Sequence, residues 1–283
     1  MSNTTTRRWE SLVTFGLLLP GLAGFFGLFF YPMLVTVQRS LRPEGQAAGW
    51  TLQNYAAFLN DPDARGVIWL TIFLAVACTL LSILLSVPLA LLLRRKLAGH
   101  SLFRLAILIP ITVPGLIGAL GLLLFWGSRG WFNLALLALG RTTPVQVNYT
   151  LPGLVLFYVW HYFSYTAITT LSTLEGLDPA VEEAARVAGA NPWQVLRHIV
   201  LPLIARGILS GSVLTFMAAF GAFSIPLITG GDFRPWSVSI YKQIELFLPA
   251  RWSAASAMAV VMAVLQVLFL TIYMRALRRR PVS

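Results

Sequence analysis

The sequence contains few charged residues and almost no cysteine. Asp, Glu, Lys and Arg make up 11% of its 283 residues, whereas an average soluble domain has about 25%. Hydrophobic residues make up 57%, a composition that indicates a membrane protein. Cys78 is the single cysteine, so an intrachain disulfide and a thiolate metal cluster are excluded. Because Cys78 lies in an apolar run, we expect it to be a small buried hydrophobic residue.

Acidic residues are missing from every long apolar run. All ten Asp and Glu residues fall between these runs or outside them. Carriers coupled to protons or sodium usually place a carboxylate at membrane depth, so a stand-alone secondary transporter or channel is disfavoured. The sequence also has no Walker A pattern, no zinc-ligand spacing and no serine–histidine–acid constellation. We therefore expect a non-catalytic chain without a cofactor or metal of its own, and a membrane scaffold that moves no solute remains an alternative.

Six apolar stretches are long enough to cross a bilayer, which takes about 20 residues per helix. They cover residues 12–37, 67–93, 105–126, 151–170, 207–228 and 254–274. The first is longer than a signal-peptide core and lacks a cleavage site, so a retained span is expected. Pro110 and Pro114 are expected to interrupt the third, and the polar fourth is expected to face protein or a cavity. The sequence thus predicts an all-α polytopic integral membrane protein with six transmembrane helices.

Basic residues sit mainly at the ends of the apolar runs. The net charge is +11, but this placement is typical of membrane-flanking anchors and disfavours nucleic-acid binding. Thirteen of the 21 Lys and Arg residues fall on one side, namely Arg7, Arg8, Arg94, Arg95, Lys96, Arg104, Arg186, Arg197, Arg206, Arg275, Arg278, Arg279 and Arg280. The positive-inside rule places this side, with both termini and residues 178–204, in the cytoplasm.

Residues 178–204 form a polar island between two apolar stretches. Asp178-Pro179 and Asn191-Pro192 each place an N-cap residue before a proline, which is a helix start signal. Asn191 and Gln194 have capping-box spacing. Gly189 lies just before the second start, where a helix often ends with positive φ. These residues predict two short helices with a bend between them, and from the residues alone an ordinary amphipathic connector is an equal alternative.

The island also contains E-A-A, three residues, G, nine residues, I, one residue and L-P, running from Glu183 to Pro202. This spacing resembles the EAA loop of binding-protein-dependent ABC importer permeases. The resemblance implies the type I ABC importer permease fold and a bacterial cytoplasmic (inner) membrane location. It also implies that the loop docks on a separate ATPase. The residues implied in that coupling are Glu182, Glu183, Ala184, Ala185, Gly189, Trp193, Leu201 and Pro202.

The resemblance extends over most of the chain. Three segments indicate the branch of the permease family, namely FGAFSIPLITGGDFRPWSVSIYKQI, RWSAASAMAVVMAVLQ and IPITVPGLIGALGLLLFWGSRGWFNLALLALG. These segments are similar to polyamine-type permeases for spermidine and putrescine. Permeases for aminoalkylphosphonate, ferric iron or thiamine share much of the pattern. The carbohydrate branch usually has a proline after the glycine pair, which is missing after Gly231. A polyamine-like solute is therefore expected, with the other solutes, sugars included, left open.

The solute pathway is expected on spans three to six. Aromatic rings can attract a cationic amine, although aromatics near span ends are also common interface anchors. The candidate pathway residues are Trp160, Tyr162, Tyr165, Phe220, Phe223 and Ser224.

The family resemblance implies partners and a division of the chain. The partners are two ATPase subunits that bind ATP and Mg, a second permease subunit, identical or homologous, and an extracytoplasmic solute-binding protein. Residues 1–66 would hold the tail, first span and following loop. Residues 67–274 would form the permease core, and 275–283 a basic tail.

Overall fold

The computed structural model describes residues 3–46, 48–94, 100–247 and 249–278. Within these ranges the chain is helical and forms no strand, which confirms the all-α prediction. The helices are α1 Asn3–Phe25, α2 Tyr31–Ser40, α3 Gln53–Asn60, α4 Pro62–Leu93, α5 His100–Thr112, α6 Gly115–Phe125, α7 Trp131–Ala138, α8 Leu151–Glu175, α9 Pro179–Val187, α10 Pro192–Val195, α11 Leu201–Phe220, α12 Ser224–Thr229, α13 Trp236–Glu245 and α14 Trp252–Arg278. The prediction of the cytoplasmic side and of a basic tail used Arg95, Lys96 and residues 279–283. These residues lie outside the described residues.

Two π-helical segments join neighbouring helices without a break. Phe26–Phe30 connects α1 to α2, and Leu196–Val200 connects α10 to α11. A proline follows each segment, Pro32 and Pro202. Proline has no N–H to donate one turn back, and a π-helical turn is a common local adjustment of the helical hydrogen-bond ladder.

Four helical stretches among the described residues are long and apolar enough to cross a membrane. They are Thr14–Ser40, Pro62–Leu93, Pro192–Phe220 and Trp252–Arg275, and the pair α5 and α6 makes a fifth only if both helices count as one span. The predicted number of six is therefore not confirmed. The predicted fourth span, 151–170, lies within α8, which is helical but is not among these apolar stretches.

The predicted third span, 105–126, is not a straight helix. α5 and α6 meet at an angle of 106°. Val113 and Pro114 separate them, and Pro114 is the N-cap of α6 with ψ 131°. Because proline disfavours helical geometry in the residue before it, the helix breaks at Pro114. The expectation that Pro110 also interrupts this span is wrong, since Pro110 lies within α5.

The predicted fifth span, 207–228, is wrong at both ends. The continuous helix runs over Pro192–Phe220, and Ser224–Thr229 forms the separate helix α12. Arg197 and Arg206 lower the hydropathy of the first turns without ending the helix. Gly221 follows Phe220 as the C-cap of α11.

The described chain divides into two compact units. The first comprises Met1–Pro62 and Ile240–Ala263. In this unit the carboxylate of Glu44 accepts hydrogen bonds from the backbone N–H groups of Ser253 and Ala254, at 3.2 and 3.0 Å. These groups lie at the N-terminus of α14, where the helix dipole favours a negative charge.

The second unit comprises Asp63–Ser239 and Val264–Ser283, and α8 lies at its centre. α8 packs against α5, α6, α11 and α12, most extensively against α11. Gly207 and Gly211 of α11 face α8 so closely that a Cβ on Gly211 would lie 2.6 Å from the Cα of Thr166. Glycines four residues apart allow membrane helices to approach each other in this way.

The polar residues of α8 bond to the helices around it. The hydroxyl of Ser164 donates to the carbonyl of Ile107 in α5 at 2.6 Å. Thr166 and Thr215 of α11 share a hydrogen bond of 2.8 Å, and the Thr215 hydroxyl also reaches the carbonyl of Tyr162 at 3.2 Å. Ser164, Thr166 and Thr215 are fully buried. The expectation that this stretch faces protein is therefore confirmed.

Candidate coupling site and solute pathway

α9 and α10 begin where the sequence predicts. The carboxylate of Asp178 accepts a hydrogen bond from the backbone N–H of Ala180 at 2.9 Å. Asn191 and Gln194 form a complete capping box, in which each side chain accepts from the other residue's backbone N–H, at 2.9 and 2.8 Å. These side chains satisfy N–H groups that a helix start leaves without an intrahelical partner.

The bend between the two helices occurs at Gly189. Its φ is +89°, a left-handed conformation that glycine adopts without a Cβ penalty. The prediction of a bend there is confirmed. The second helix, however, is not a separate short helix as predicted, because α10 continues through Leu196–Val200 into α11. The segment after the bend is thus the first part of an apolar helix.

α9 has one exposed face and one packed face. Glu183, Ala184 and Val187 lie on the exposed face, and Val187 is 89% exposed. Ala185 is half-buried and packs against the apolar core of the second unit. The side chain of the neighbouring residue, Glu182, is only 13% exposed. Two adjacent glutamates therefore occupy different environments, which the sequence pattern did not distinguish.

The Glu182 carboxylate lies between two arginines. One oxygen forms an ion pair with Arg94, the residue directly after α4, and the other lies 3.6 Å from Arg186, one turn further along α9. Arg94 could not be predicted as a partner of Glu182 from the sequence, since the two residues are 88 positions apart.

An apolar cluster joins the loop to the ends of the long helices. Val195 and Val200 are buried in it beside Leu93, Leu174 and Ile204, which come from α4, α8 and α11. Leu201 packs against this cluster, whereas Pro202 is exposed. A displacement of the loop would therefore act on three long helices through close-packed side chains, which deform little.

A groove of about 520 Å³ runs between α9 and the start of α10. Arg94, Glu182 and Trp193 are among its lining residues. Trp193 is 64% exposed, so its indole is available to a partner. Exposed aromatic side chains of this kind are enriched at protein interfaces.

Two candidate pathway residues meet at α6. A Cβ on Gly118 would lie 3.2 Å from the Trp160 ring, and one on Gly115 would lie 3.3 Å from the Cβ of Ser224. His161 lies at the same place, with its Nε2 3.8 Å from that position at Gly115. Its Nδ1 is buried and has no hydrogen-bond partner among the described residues. His161 was not among the predicted pathway residues, although it lies between two of them, Trp160 and Tyr162.

The other pathway candidates lie in different surroundings. Tyr162 packs edge-on against the ring of His161, with centroids 4.8 Å apart. Tyr165 is half-buried and Phe223 is exposed. Phe220 is fully buried and packs against Phe216 and Phe269, so the structure does not place its ring at an open surface.

Comparison with known proteins shows the same architecture in solved ABC transporters. The chain aligns with a bacterial ABC transporter involved in the import of the acidic polysaccharide alginate, with a TM-score of 0.79 and 20% identity over 96% of this chain and 99% of that one. The alginate ABC transporter in complex with its alginate pentasaccharide-bound periplasmic protein matches equally well, over 98% of both chains. These likenesses show the fold.

Sequence relatives agree with this fold. The spermidine/putrescine transport system permease protein PotB of Salmonella typhimurium is 29% identical over 266 residues, 91% of each chain. The sulfate transport system permease protein CysW of Escherichia coli is 30% identical over 200 residues, 69% of this chain and 65% of that protein. Residues 82–282 match the family described as binding-protein-dependent transport system inner membrane component. Since this match covers most of the chain, the protein belongs to that family and is a multi-pass inner-membrane permease subunit of an ABC importer.

Proposed function

We propose that this permease imports a polyamine-like cation and that α9 with the start of α10 couples it to a separate ATPase. The observation that carries the coupling proposal is the division of α9 into two faces. Its exposed face presents Glu183, Ala184 and Val187, while Glu182 and Ala185 hold its other face to the second unit. Because one face of α9 packs on the permease and the other is exposed, a bound ATPase could contact the exposed face and displace the helix.

The small residues of the exposed face leave room for close contact. Ala184 adds little bulk, and the bare apolar surface of Val187 and Trp193 supplies contact area. Gly189 sets the angle between the faces on either side of the bend. Closure of an ATPase dimer on ATP would then move the loop and, through the apolar cluster, the long helices, as a rigid-body alternation of access.

The proposed complex contains two ATPase subunits, a second permease and an extracytoplasmic solute-binding protein. The ATPases would bind ATP and Mg, while this chain would supply half of the solute pathway. A periplasmic protein bound to one of the structurally similar transporters supports the last partner. Both termini would be cytoplasmic, on the same side as α9, as the excess of basic residues on that side indicates.

The solute proposal rests on relatives and on aromatic side chains. The PotB permeases align over 91% of the chain. In the structure, Trp160 lies against α6, and Tyr162 and Tyr165 follow it on α8. A cationic amine over such rings gains about 0.5–2 kcal/mol per contact. Sulfate is the specific competitor to test, because CysW permeases align over a large part of the chain.

The test is ATPase stimulation in lipid. The chain is purified with its natural partners, and hydrolysis is measured with the binding protein empty or loaded with spermidine, putrescine or sulfate. We expect stimulation by the polyamine-loaded protein alone. Stimulation by sulfate would overturn the solute proposal and keep the coupling proposal, whereas an absence of any co-purifying ATPase would overturn both.

A further inference from the structure

We infer that the Arg94–Glu182 ion pair is a tie that fixes α9 to the end of α4, so that both are displaced together. This inference rests on the proposed coupling function of α9. It assigns to Glu182 and Arg94 a positioning role within the chain, distinct from contact with the ATPase. It also separates Glu182 from its exposed neighbour Glu183.

The environment of the pair gives it more strength than an ordinary surface ion pair. The side chains of Arg94 and Glu182 are 23% and 13% exposed. Attraction between opposite charges increases as water is removed from around them, so partial burial strengthens the pair relative to a fully solvated one. Arg186 lies at the second oxygen of the same carboxylate, which fixes the orientation of that group further. Arg94 follows the last turn of α4, where the helix dipole favours a cation.

Packing also attaches α9 to α10 and to Leu196–Val200, the segment beyond the bend. At its C-terminal side the chain bends at Gly189, around which there is open space. On its packed face Ala185 contributes one small side chain to the apolar cluster. These contacts link α9 to the segment after the bend, whereas the ion pair between one Arg94 nitrogen and one Glu182 oxygen links α9 to the end of α4. Without the pair, a push on α9 would reach α4 indirectly, through α10 and the apolar cluster, after tilting of α9 at the bend had absorbed part of it.

A second ion pair in the same unit provides a matched control. Arg104 of α5 and Glu175 of α8 form two hydrogen bonds, at 3.3 and 3.2 Å, and their side chains are 49% and 32% exposed. This pair also joins two helices, but it does not involve α9. Neutralising it removes a similar interaction while leaving the tie intact.

The experiment uses the complete reconstituted complex and the variants Glu182→Gln, Arg94→Gln and Glu182→Gln/Arg94→Gln, with Glu175→Gln as the control. Assembly with the ATPase, ATP hydrolysis and solute uptake are measured together. We expect each tie variant to assemble normally with the ATPase. The amount of solute moved per ATP hydrolysed should fall about fivefold or more, since fivefold is the low end of the usual coupling between two sites. The double variant should be no worse than either single one, because the tie is already broken. A purely structural role would instead lower yield, hydrolysis and uptake in proportion.

A distance measurement tests the tie without any transport assay. Spin labels are placed at the exposed positions Leu92 and Val181 in a Cys78→Ala background, and the label-to-label distribution is recorded in lipid. We expect a narrow distribution that broadens in Glu182→Gln and stays narrow in Glu175→Gln. A label-to-label distribution that is unchanged in Glu182→Gln would overturn the inference. So would losses of solute moved per ATP that multiply when the two single substitutions are combined. If the wild-type complex lacks stimulated hydrolysis, the proposed function fails, but the label distances still decide whether the tie exists.

Discussion

Replacement of Gly211 by alanine should destabilise the contact between α8 and α11. A Cβ at this position would lie 2.0 Å from the hydroxyl oxygen of Thr169 and 2.6 Å from the Cα of Thr166. The hydroxyl can rotate away, but the Cα belongs to the backbone of α8. An unstrained carbon–carbon contact is about 3.5–4.0 Å, so the two helices must separate by about 1 Å.

The size of the effect follows from three contributions. Overpacking of this kind costs about 1–3 kcal/mol. Separation would also lengthen the 2.8 Å hydrogen bond between Thr166 and Thr215, and such bonds between membrane helices contribute about 0.6 kcal/mol. Alanine returns up to about 1 kcal/mol through its higher helix propensity. We expect a net loss of about 1.5 kcal/mol in the free energy of unfolding.

The assay is reversible unfolding of the purified chain in lipid bicelles, with Gly121→Ala as the matched control. Gly121 lies within helix α6, and a Cβ there would meet nothing within 4 Å. The control should be neutral or slightly stabilising, because it gains helix propensity without a clash. Equal stability of the two variants would refute the claim that α8 and α11 need a glycine at this contact.

Three further substitutions test the loop. Gly189→Val places a β-branched residue at φ +89°, a left-handed conformation that costs such a residue roughly 1–2 kcal/mol. We expect the chain to fold with a changed bend and to take up less solute per ATP hydrolysed. Unchanged uptake per ATP would show that the bend angle is unimportant. Asn191→Ala removes the hydrogen bond from the Gln194 backbone N–H to the Asn191 side chain, which should destabilise the helix start by about 1 kcal/mol. We expect faster hydrogen exchange at the Gln194 amide. Unaltered exchange would contradict the role of the cap. Val187→Asp changes a residue that is 89% exposed, so the free energy of unfolding should stay within about 0.5 kcal/mol of the wild type. We expect an immobilised permease with this substitution to retain less ATPase. Full retention would place the docking face elsewhere.

The local features of residues 178–204 could be predicted because they depend on neighbouring residues. A cap and its proline are adjacent in sequence, as in Asp178-Pro179, and the capping box spans three positions from Asn191 to Gln194. Gly189 was predicted as a bend for the same reason, since few other residues adopt positive φ without strain. The roles assigned to these residues in ATPase docking remain predictions.

The boundaries of the apolar helices were harder to predict, because hydropathy does not report where a helix starts or bends. The helix Pro192–Phe220 begins with polar turns that a hydropathy criterion assigns to a loop. The bend of 106° between α5 and α6 depends on Pro114 and on what α6 packs against. Contacts between distant residues, such as Glu182 with Arg94, leave no periodic signal in a single sequence. This is why both glutamates entered the predicted ATPase-coupling set without being distinguished from each other.

The polarity of α8 has a consequence for how the protein is assembled in the membrane. Its buried hydroxyls at Ser164 and Thr166 are satisfied by α5 and α11, and α11 is synthesised after it. In a lone helix such a hydroxyl can bond only to a carbonyl of its own helix, as Thr169 and Thr173 do, and each added polar group makes entry into hydrocarbon less favourable. α8 therefore enters the bilayer more favourably together with α11 than before it. Because α5 is synthesised before α8, Ser164 has its partner early, whereas Thr166 gains its interhelical partner only once the polar loop and α11 have left the ribosome.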